Sequence, residues 1–167
     1  MEAGGTPVLV HNENGCKADP SWGGRVQWKT DAQGRVSEMH AMVNHDMLDE
    51  GTDASQKILP AGFKGGPANQ ARGHMLANRL GGSGDISDNL FTITQNPTNN
   101  STMKIYEGQI YDAVKGGGDV AGQNVQYSVY LEYGNDEAEV PKWIQMEAVG
   151  DRGFSLGKMF RNPASDQ

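Results

Sequence analysis

The alternation of apolar and polar residues from position 125 to 133 constrains the fold more than any other feature. Every second residue there is apolar, in the order Val125, Tyr127, Val129, Leu131 and Tyr133. A period of two predicts a β-strand with one buried face. The runs "VPKWIQMEAV" and "GFSLGKMF" follow it and are candidate neighbouring strands.

Similar short runs occur earlier in the chain. "RVQWK" and "RVSEMHAMV" flank "TDAQG" between positions 25 and 43, which predicts a hairpin. Two further strand-like runs, 72–76 and 90–94, are joined by a loop containing "GGSGD". This loop has no phosphate-binding pattern, so we expect a flexible hairpin loop. Residues 45–70 are expected to be mostly loop.

One segment has helical periodicity. Its apolar residues are spaced i, i+3, i+7 and i+11, at Met103, Tyr106, Ile110 and Val114. Asn99, Asn100 and Ser101 are candidate N-caps, and the glycines after Lys115 should end the helix. The fold class expected is α+β, with short antiparallel strands and one key helix.

The chain has the size of a single domain. With 167 residues, 23 glycines and 36% apolar residues, it suits one compact unit with many turns. We expect a linker at 1–20, the domain at 21–163 and a tail at 164–167. Cys16 is the only cysteine, which excludes an internal disulfide and a thiolate zinc site. No run approaches the ~20 apolar residues that span a bilayer, so no membrane partner is expected.

Charge is distributed unevenly along the chain. The formal net charge is −7, which argues mildly against a nucleic-acid-binding protein. Residues 57–104 nevertheless carry five cations against two acids, a net +3, whereas 132–151 carry six acids against one lysine, a net −5. Positive charge thus gathers around "ARGHMLANRL" and "QNPTNNSTMKIYE".

His74 is the first candidate for chemistry. A hydrogen-bonded strand histidine is the ordinary alternative. Arg72 lies two residues earlier, on the same strand face, and a neighbouring guanidinium disfavours the imidazolium form. His74 is therefore predicted to be a neutral base near neutral pH.

Asn99 and Glu107 form the second candidate pair. Glu107 lies at the edge of the apolar stripe of its helix, where a solvated glutamate is the alternative. Asn99 is either an N-cap or, through its amide oxygen, a ligand for Mg²⁺. A base, a cation, an amide and an acid brought together by a strand–loop–strand–helix unit suit metal-assisted phosphodiester hydrolysis.

"ARGH" followed by "NLFTITQNPTNNSTMKIYE" resembles the DNA/RNA non-specific endonucleases, a branch of the ββα-metal (His-Me finger) nucleases. The family motif is Asp-Arg-Gly-His, followed by an asparagine eight residues before a helical glutamate. Arg72, Gly73 and His74 match it, and Asn99 precedes Glu107 by eight residues. The spacing is similar to that of the C-terminal domains of bacterial polymorphic toxins.

The resemblance implies a role for each residue. His74 would be the general base and Asn99 the direct ligand of Mg²⁺ or Mn²⁺. Glu107 would orient the waters of that ion, and Arg72 would stabilise the charged phosphate. The substrate would be DNA, RNA or both.

Ala71 departs from the motif, because the family has aspartate at this position. Together with the charge of −7, this leaves a second function open, a catalytically weak module that only binds nucleic acid or protein.

The resemblance also implies a biological setting. The domain would be secreted as part of a larger toxin, would act in the cytoplasm of a target cell and would bind a cognate immunity protein, for which the acidic 132–151 is a candidate surface. "PVLVHN" resembles the end of intein-like Hint domains, so His11-Asn12 is either a remnant of a release site or a chance pair within the linker.

Overall fold

The computed structural model describes residues 16–167. Eight strands, all paired antiparallel, are distributed over two sheets. They are β1 (Lys17–Ala18), β2 (Val26–Thr30), β3 (Val36–Val43), β4 (Gln70–His74), β5 (Leu90–Thr94), β6 (Val125–Glu132), β7 (Trp143–Gly150) and β8 (Ser155–Arg161). A six-stranded sheet has the order β1-β2-β3-β6-β7-β8, and β4 and β5 form a separate hairpin. The expected fold class, α+β with a short antiparallel sheet, is confirmed.

The large sheet buries one face. On β6, Val125, Tyr127 and Val129 are fully buried, whereas Gln126 between them is exposed. The predicted hairpin is present as β2 and β3, with Val26 opposite Ala41. The alternation in sequence thus becomes a face that packs against the rest of the molecule.

One helix, α1 (Lys104–Lys115), follows the small hairpin. Its Ile110 and Val114 are buried in the core, and its last residue precedes Gly116, which has a φ of 65°. Glycine ends the helix as predicted, because this left-handed conformation strains residues that carry a Cβ.

The predicted N-caps of α1 are wrong. Asn99, Asn100 and Ser101 lie inside a π-helical segment, Gln95–Met103, that runs directly into α1. Met103, the residue before α1, has helical backbone angles, and its side chain does not cap the helix. Because helical turns continue upstream, Asn99 does not have to cap the helix, and its amide is left for another role.

The folded part of the chain is longer than expected. Lys17 and Ala18, within the expected linker, pair with Trp28 and Gln27. In the expected tail, Ala164 is buried and its N–H donates to Thr94 Oγ1 at 2.7 Å. His11 and Asn12 lie outside the described residues. No helix within 16–167 is long and apolar enough to cross a bilayer.

Candidate active site

A polar cavity of about 260 Å³ lies between β4, the π-helical segment and α1. All four side chains singled out from the sequence line it, namely Arg72, His74, Asn99 and Glu107. β4 contributes the first two, which are one strand repeat apart and so share a face. The two helical segments contribute the other two, so the strand–loop–strand–helix unit brings them together.

His74 is held by a backbone carbonyl. Its Nε2 lies 2.9 Å from the carbonyl oxygen of Thr52. A carbonyl oxygen only accepts, so Nε2 carries the hydrogen and Nδ1 keeps its lone pair in the neutral ring. Burial lowers the pKa of His74 from its ordinary 6.5, while the Thr52 carbonyl and the Asp53 carboxylate raise it. Burial, rather than the expected effect of Arg72, is thus what lowers the pKa of His74 and favours the neutral imidazole.

The glycine-rich loop supports this contact and is not the free hairpin loop that we expected. Thr52 N–H donates to the Gly82 carbonyl at 3.0 Å, and Gly84 N–H donates to Thr52 Oγ1 at 2.9 Å. A Cβ on Gly84 would lie 2.0 Å from the Asp53 carbonyl oxygen. Glycine is needed here because the two backbone segments pack directly on each other.

The Arg72 side chain is anchored by a backbone carbonyl and an aromatic ring. Its Nε donates to the Ile58 carbonyl at 2.7 Å, and its guanidinium lies 4.5 Å from the centre of the Phe63 ring. Within residues 16–167 no carboxylate forms an ion pair with Arg72, and no group accepts a hydrogen bond from its Nη1. An anchored, unneutralised guanidinium on a cavity wall is suited to bind a phosphate.

Glu107 and Asn99 supply oxygen atoms to the cavity. Glu107 is 7% exposed, and burial raises its pKa to about 7, although Arg79 and Lys104 lower it. Its predicted position on the inner flank of α1 is thus confirmed. The Asn99 amide has no hydrogen-bond partner among the described residues, while its neighbour Asn100 donates to Asn96 Oδ1.

Three further polar residues on the cavity wall escaped the sequence analysis. Asn78 Nδ2 donates to Asp53 Oδ1 at 2.6 Å, a pair separated by 25 residues and brought together by the packed loops. Lys104 is exposed and lies three residues before Glu107. Helical spacing could have identified Lys104, whereas no local pattern marks the other two.

Ala71, the departure from the motif, does not line this cavity. It pairs with Ile93 and packs, partly buried, against the hydrophobic core. Its side chain therefore adds to the packing beneath β4 and does not belong to the wall of this cavity.

The donor set fits a hard cation that keeps most of its waters. A free amide oxygen and a buried carboxyl without a hydrogen-bond partner among the described residues both face the cavity. Mg²⁺ takes few protein ligands, all oxygen atoms. Within residues 16–167 no three His, Cys, Asp or Glu side chains cluster as a multidentate metal site would require. Asn99 and Glu107 could hold a metal here, and so could the Asp53 carboxylate, one oxygen of which accepts from Asn78.

The profile of the DNA/RNA non-specific endonuclease family matches residues 16–151. The chain belongs to this family. Membership implies a hydrolase that acts on nucleic acid without sequence specificity. No curated protein sequence matches the chain.

Solved nuclease structures share the fold. NucA from Streptococcus agalactiae with bound magnesium is 23% identical, with a TM-score of 0.69 over 87% of this chain and 75% of that one. Metal-free NucA is 22% identical, with a TM-score of 0.68 over 82% and 70%. Sda1 nuclease with a bound zinc ion is 19% identical, with a TM-score of 0.62 over 82% and 75%. At these identities the likeness establishes the architecture.

Proposed function

We propose that this non-specific nuclease hydrolyses phosphodiester bonds of DNA, RNA or both in the His74 cavity and depends on Mg²⁺ or Mn²⁺. One observation carries the proposal. A histidine, an anchored guanidinium and two oxygen donors line the same small cavity, and among residues 16–167 neither His74 Nδ1 nor the Arg72 guanidinium has a side-chain hydrogen-bond partner.

Each side chain has a part in the hydrolysis. His74 Nδ1 accepts a proton from a water whose oxygen attacks the phosphorus atom. The bond from phosphorus to the leaving oxygen breaks, and that oxygen then takes up a proton. Arg72 binds the non-bridging oxygens, where negative charge increases in the transition state. Transfer through Nδ1 requires the tautomer that the Thr52 carbonyl selects.

Asn99 would hold the metal directly and Glu107 would hold its water ligands. The ion, when bound, supplies a positive charge that stabilises the phosphate in the transition state. Support comes from the donor set and from two relatives of the same fold, NucA with bound magnesium and Sda1 with bound zinc. The ionised form of Glu107, which burial disfavours, is the form that a cation would favour.

The decisive experiment incubates the protein with plasmid DNA and with RNA, in Mg²⁺ and in EDTA. We expect cleavage in Mg²⁺ alone and a loss of 10²- to 10⁴-fold in His74→Ala, the usual contribution of a general base. His45→Ala, on a surface turn, is the matched control and should retain activity. Intact substrates in Mg²⁺ or Mn²⁺ would contradict the proposal.

A second candidate function is a binding module with little catalysis. Ala71 in the motif and the net charge of −7 favour it. Salt-sensitive binding of DNA that persists in EDTA, with no cleavage in any divalent metal, would support this alternative.

We also propose that the domain is the toxic part of a larger secreted protein, acts in the cytoplasm of target cells and is neutralised by a bound immunity protein. The similarity of its motif spacing to polymorphic toxins supports the first part. The exposed acidic side chains Asp136, Glu137 and Glu139 support a basic partner.

Growth measurements test the toxin proposal. Expression in the bacterial cytoplasm should stop growth, and the His74→Ala variant should not. Co-expression with open reading frames encoded beside the gene would identify a neutralising partner. Substitution of Glu137 and Glu139 by Lys should lower the affinity of that partner for the domain, whereas Asp112→Lys on α1 should not. Unchanged growth on expression of the active nuclease would contradict it.

A further inference from the structure

A second cavity, of about 300 Å³, adjoins the candidate active site. The Arg72 side chain lines both cavities and separates them. Beyond it, the wall of the second cavity includes Gln56, Phe63, Gln70 and Gln95. The two cavities therefore form neighbouring subsites on either side of one guanidinium.

The second cavity combines an aromatic surface with free amide groups. The Arg72 guanidinium covers one face of the Phe63 ring, with its carbon 4.5 Å from the ring centre, and the ring is otherwise partly exposed. Within residues 16–167, no group forms a hydrogen bond with the side-chain amide of Gln56 or Gln95. Each amide offers both donors and acceptors.

Gln70 differs from these two glutamines, because it is part of the framework. It is 2% exposed, its oxygen accepts the Lys64 N–H, and its Nε2 donates to Gln167 Oε1 at 2.8 Å. The buried, hydrogen-bonded Gln70 gives this cavity one fixed wall residue beside two free amides and a ring. The cavity is therefore a built site rather than a gap between loops.

We propose that this cavity binds the unpaired base of the nucleotide next to the scissile phosphate. This inference rests on the proposed function, since it places the phosphate at Arg72. A base has an apolar π-face for Phe63 and a hydrogen-bonding edge for the two amides. Because an amide presents donors as well as acceptors, all four bases can be accommodated, in agreement with a non-specific nuclease. In a duplex the π-faces of a base are stacked and its Watson–Crick edge is paired, so a base that uses them here comes from a locally single-stranded substrate.

Oligonucleotides with one abasic nucleotide test the proposal. Single-stranded DNA with and without the abasic position is cleaved, and each cut is mapped. Stacking of one base is worth ~1–3 kcal/mol, so cleavage should fall about tenfold at a phosphate that adjoins the missing base. The proposal would be overturned if both phosphates that adjoin the abasic nucleotide were cleaved as fast as the same phosphates in the intact strand.

Variants separate base binding from damage to Arg72. Phe63→Leu should raise KM on intact substrate and abolish the fall in cleavage beside the abasic nucleotide. Phe63→Trp should keep the wild-type KM and the wild-type fall in cleavage. A displaced Arg72 would instead lower kcat on intact and abasic substrates alike, and that result would contradict base binding. Gln56→Ala and Gln95→Ala should raise KM, with Gln126→Ala on the exposed sheet face as the control.

Binding without cleavage distinguishes failure of this inference from failure of the proposed function. His74→Ala in EDTA is mixed with single-stranded DNA that contains 2-aminopurine, a base whose fluorescence is quenched on stacking. We expect quenching that is lost in the His74→Ala, Phe63→Leu double variant. Quenching without cleavage by the wild type would disprove the nuclease proposal alone, while cleavage without quenching would disprove the base subsite.

Discussion

A single hydrogen bond determines which nitrogen of His74 can act. The Thr52 carbonyl takes the hydrogen of Nε2, so only Nδ1 is available to a water in the cavity. A basic nitrogen of lowered pKa stays unprotonated further into the acid range than an exposed imidazole does. The choice of nitrogen follows from the position of the loop around Thr52 and the lowered pKa from burial in the fold, and neither follows from the sequence next to His74.

The first prediction concerns the dependence of cleavage on pH. Since burial lowers the pKa of His74, kcat/KM at saturating Mg²⁺ should fall on acidification with a midpoint below 6.5. Initial rates on a fluorescent oligonucleotide between pH 4.5 and 9 measure this. A rate that does not change with pH, or an unchanged acid limb in His74→Ala, would exclude His74 as the base.

The second prediction concerns Glu107 and stability. Its pKa is raised from 4.5 to about 7, so the folded protein binds this proton more tightly than the unfolded chain does. Without metal the wild type therefore loses stability as pH rises from 4.5 through 7, by up to about 3 kcal/mol. Glu107→Gln keeps a neutral side chain at every pH. In EDTA its free energy of unfolding should therefore exceed that of the wild type by more at pH 8.5 than at pH 4.5.

Urea unfolding at the two pH values, with and without Mg²⁺, measures this difference. Mg²⁺ at pH 8.5 should stabilise the wild type and leave Glu107→Gln nearly unchanged. Glu147→Gln, exposed on the outer sheet face, is the matched control and should differ from wild type by less than about 0.5 kcal/mol. The same gap between wild type and Glu107→Gln at both pH values would show that Glu107 has no unusual proton affinity.

At this scale the sequence predicts those residues whose position is fixed by their own strand or helix. Arg72 and His74 share a strand face, and Glu107 flanks an apolar helical stripe, so their placement follows from periodicity. Asp53 and Thr52 reach the site only because distant loops pack together, and no local pattern encodes such packing. The basis of the lowered His74 pKa was misjudged for the same reason, since burial depends on the whole fold.

At the scale of elements, the two loops 49–55 and 78–85 act as one support for His74 at the end of β4. Backbone hydrogen bonds join them at four points, from Asp49, Gly51, Thr52 and Ser55. The loops approach so closely that Gly51 and Gly84 have no room for a Cβ, since a Cβ on Gly51 would meet the Asn78 carbonyl and one on Gly84 the Asp53 carbonyl. A composition rich in glycine suggested mobility, whereas the structure uses the small residues for contact between backbones.

The third prediction tests this support. In Gly84→Ala the new Cβ would meet the Asp53 carbonyl at 2.0 Å, so the 52–54 segment must move away. We expect lower stability together with a kcat reduced at least tenfold, since Thr52 then misplaces His74. Gly157→Ala, where nothing lies within 4 Å of the new Cβ, is the control and should behave as wild type.

The pH profile of Gly84→Ala separates misplacement of His74 from simple destabilisation. A misplaced imidazole loses the Thr52 carbonyl and some burial, so the acid limb of kcat/KM should shift. A variant with normal kcat and an unchanged profile would show that the Gly84 contact is dispensable.

Elements also differ in how well their ends can be predicted. Strong alternation and the glycines after Lys115 defined β6 and the end of α1 closely. The start of α1 was wrong because the Asn- and Ser-rich run resembles a cap, while tertiary packing extends helical turns through it.

At the scale of the whole molecule, the lysines and arginines that form ion pairs are segregated from those at positions 57–104. None of the five cations between positions 57 and 104 forms an ion pair with the described residues, namely Lys57, Lys64, Arg72, Arg79 and Lys104. Of the nine other lysines and arginines, five form ion pairs with described carboxylates, as Arg35 does with Asp31 and Arg25 with Asp46, and four do not. An acidic protein can therefore present a positive surface to a polyanion, and net charge alone was a poor guide to the substrate.

The last prediction follows from this segregation. If Lys104 on the cavity wall contacts a phosphate, a variant without this lysine should release one counterion fewer when it binds the nucleic acid. With His74→Ala as the uncleaving background, Lys104→Gln should weaken binding and flatten the slope of log K against log salt by ~0.7 on single strands. Arg152→Gln removes an equal charge from the exposed turn between β7 and β8 and should leave the slope unchanged. If both variants flatten the slope equally, the general field of the protein attracts the substrate and Lys104 makes no direct contact. If only Lys104→Gln flattens the slope, Lys104 contacts a phosphate of the strand that Arg72 binds in the same cavity.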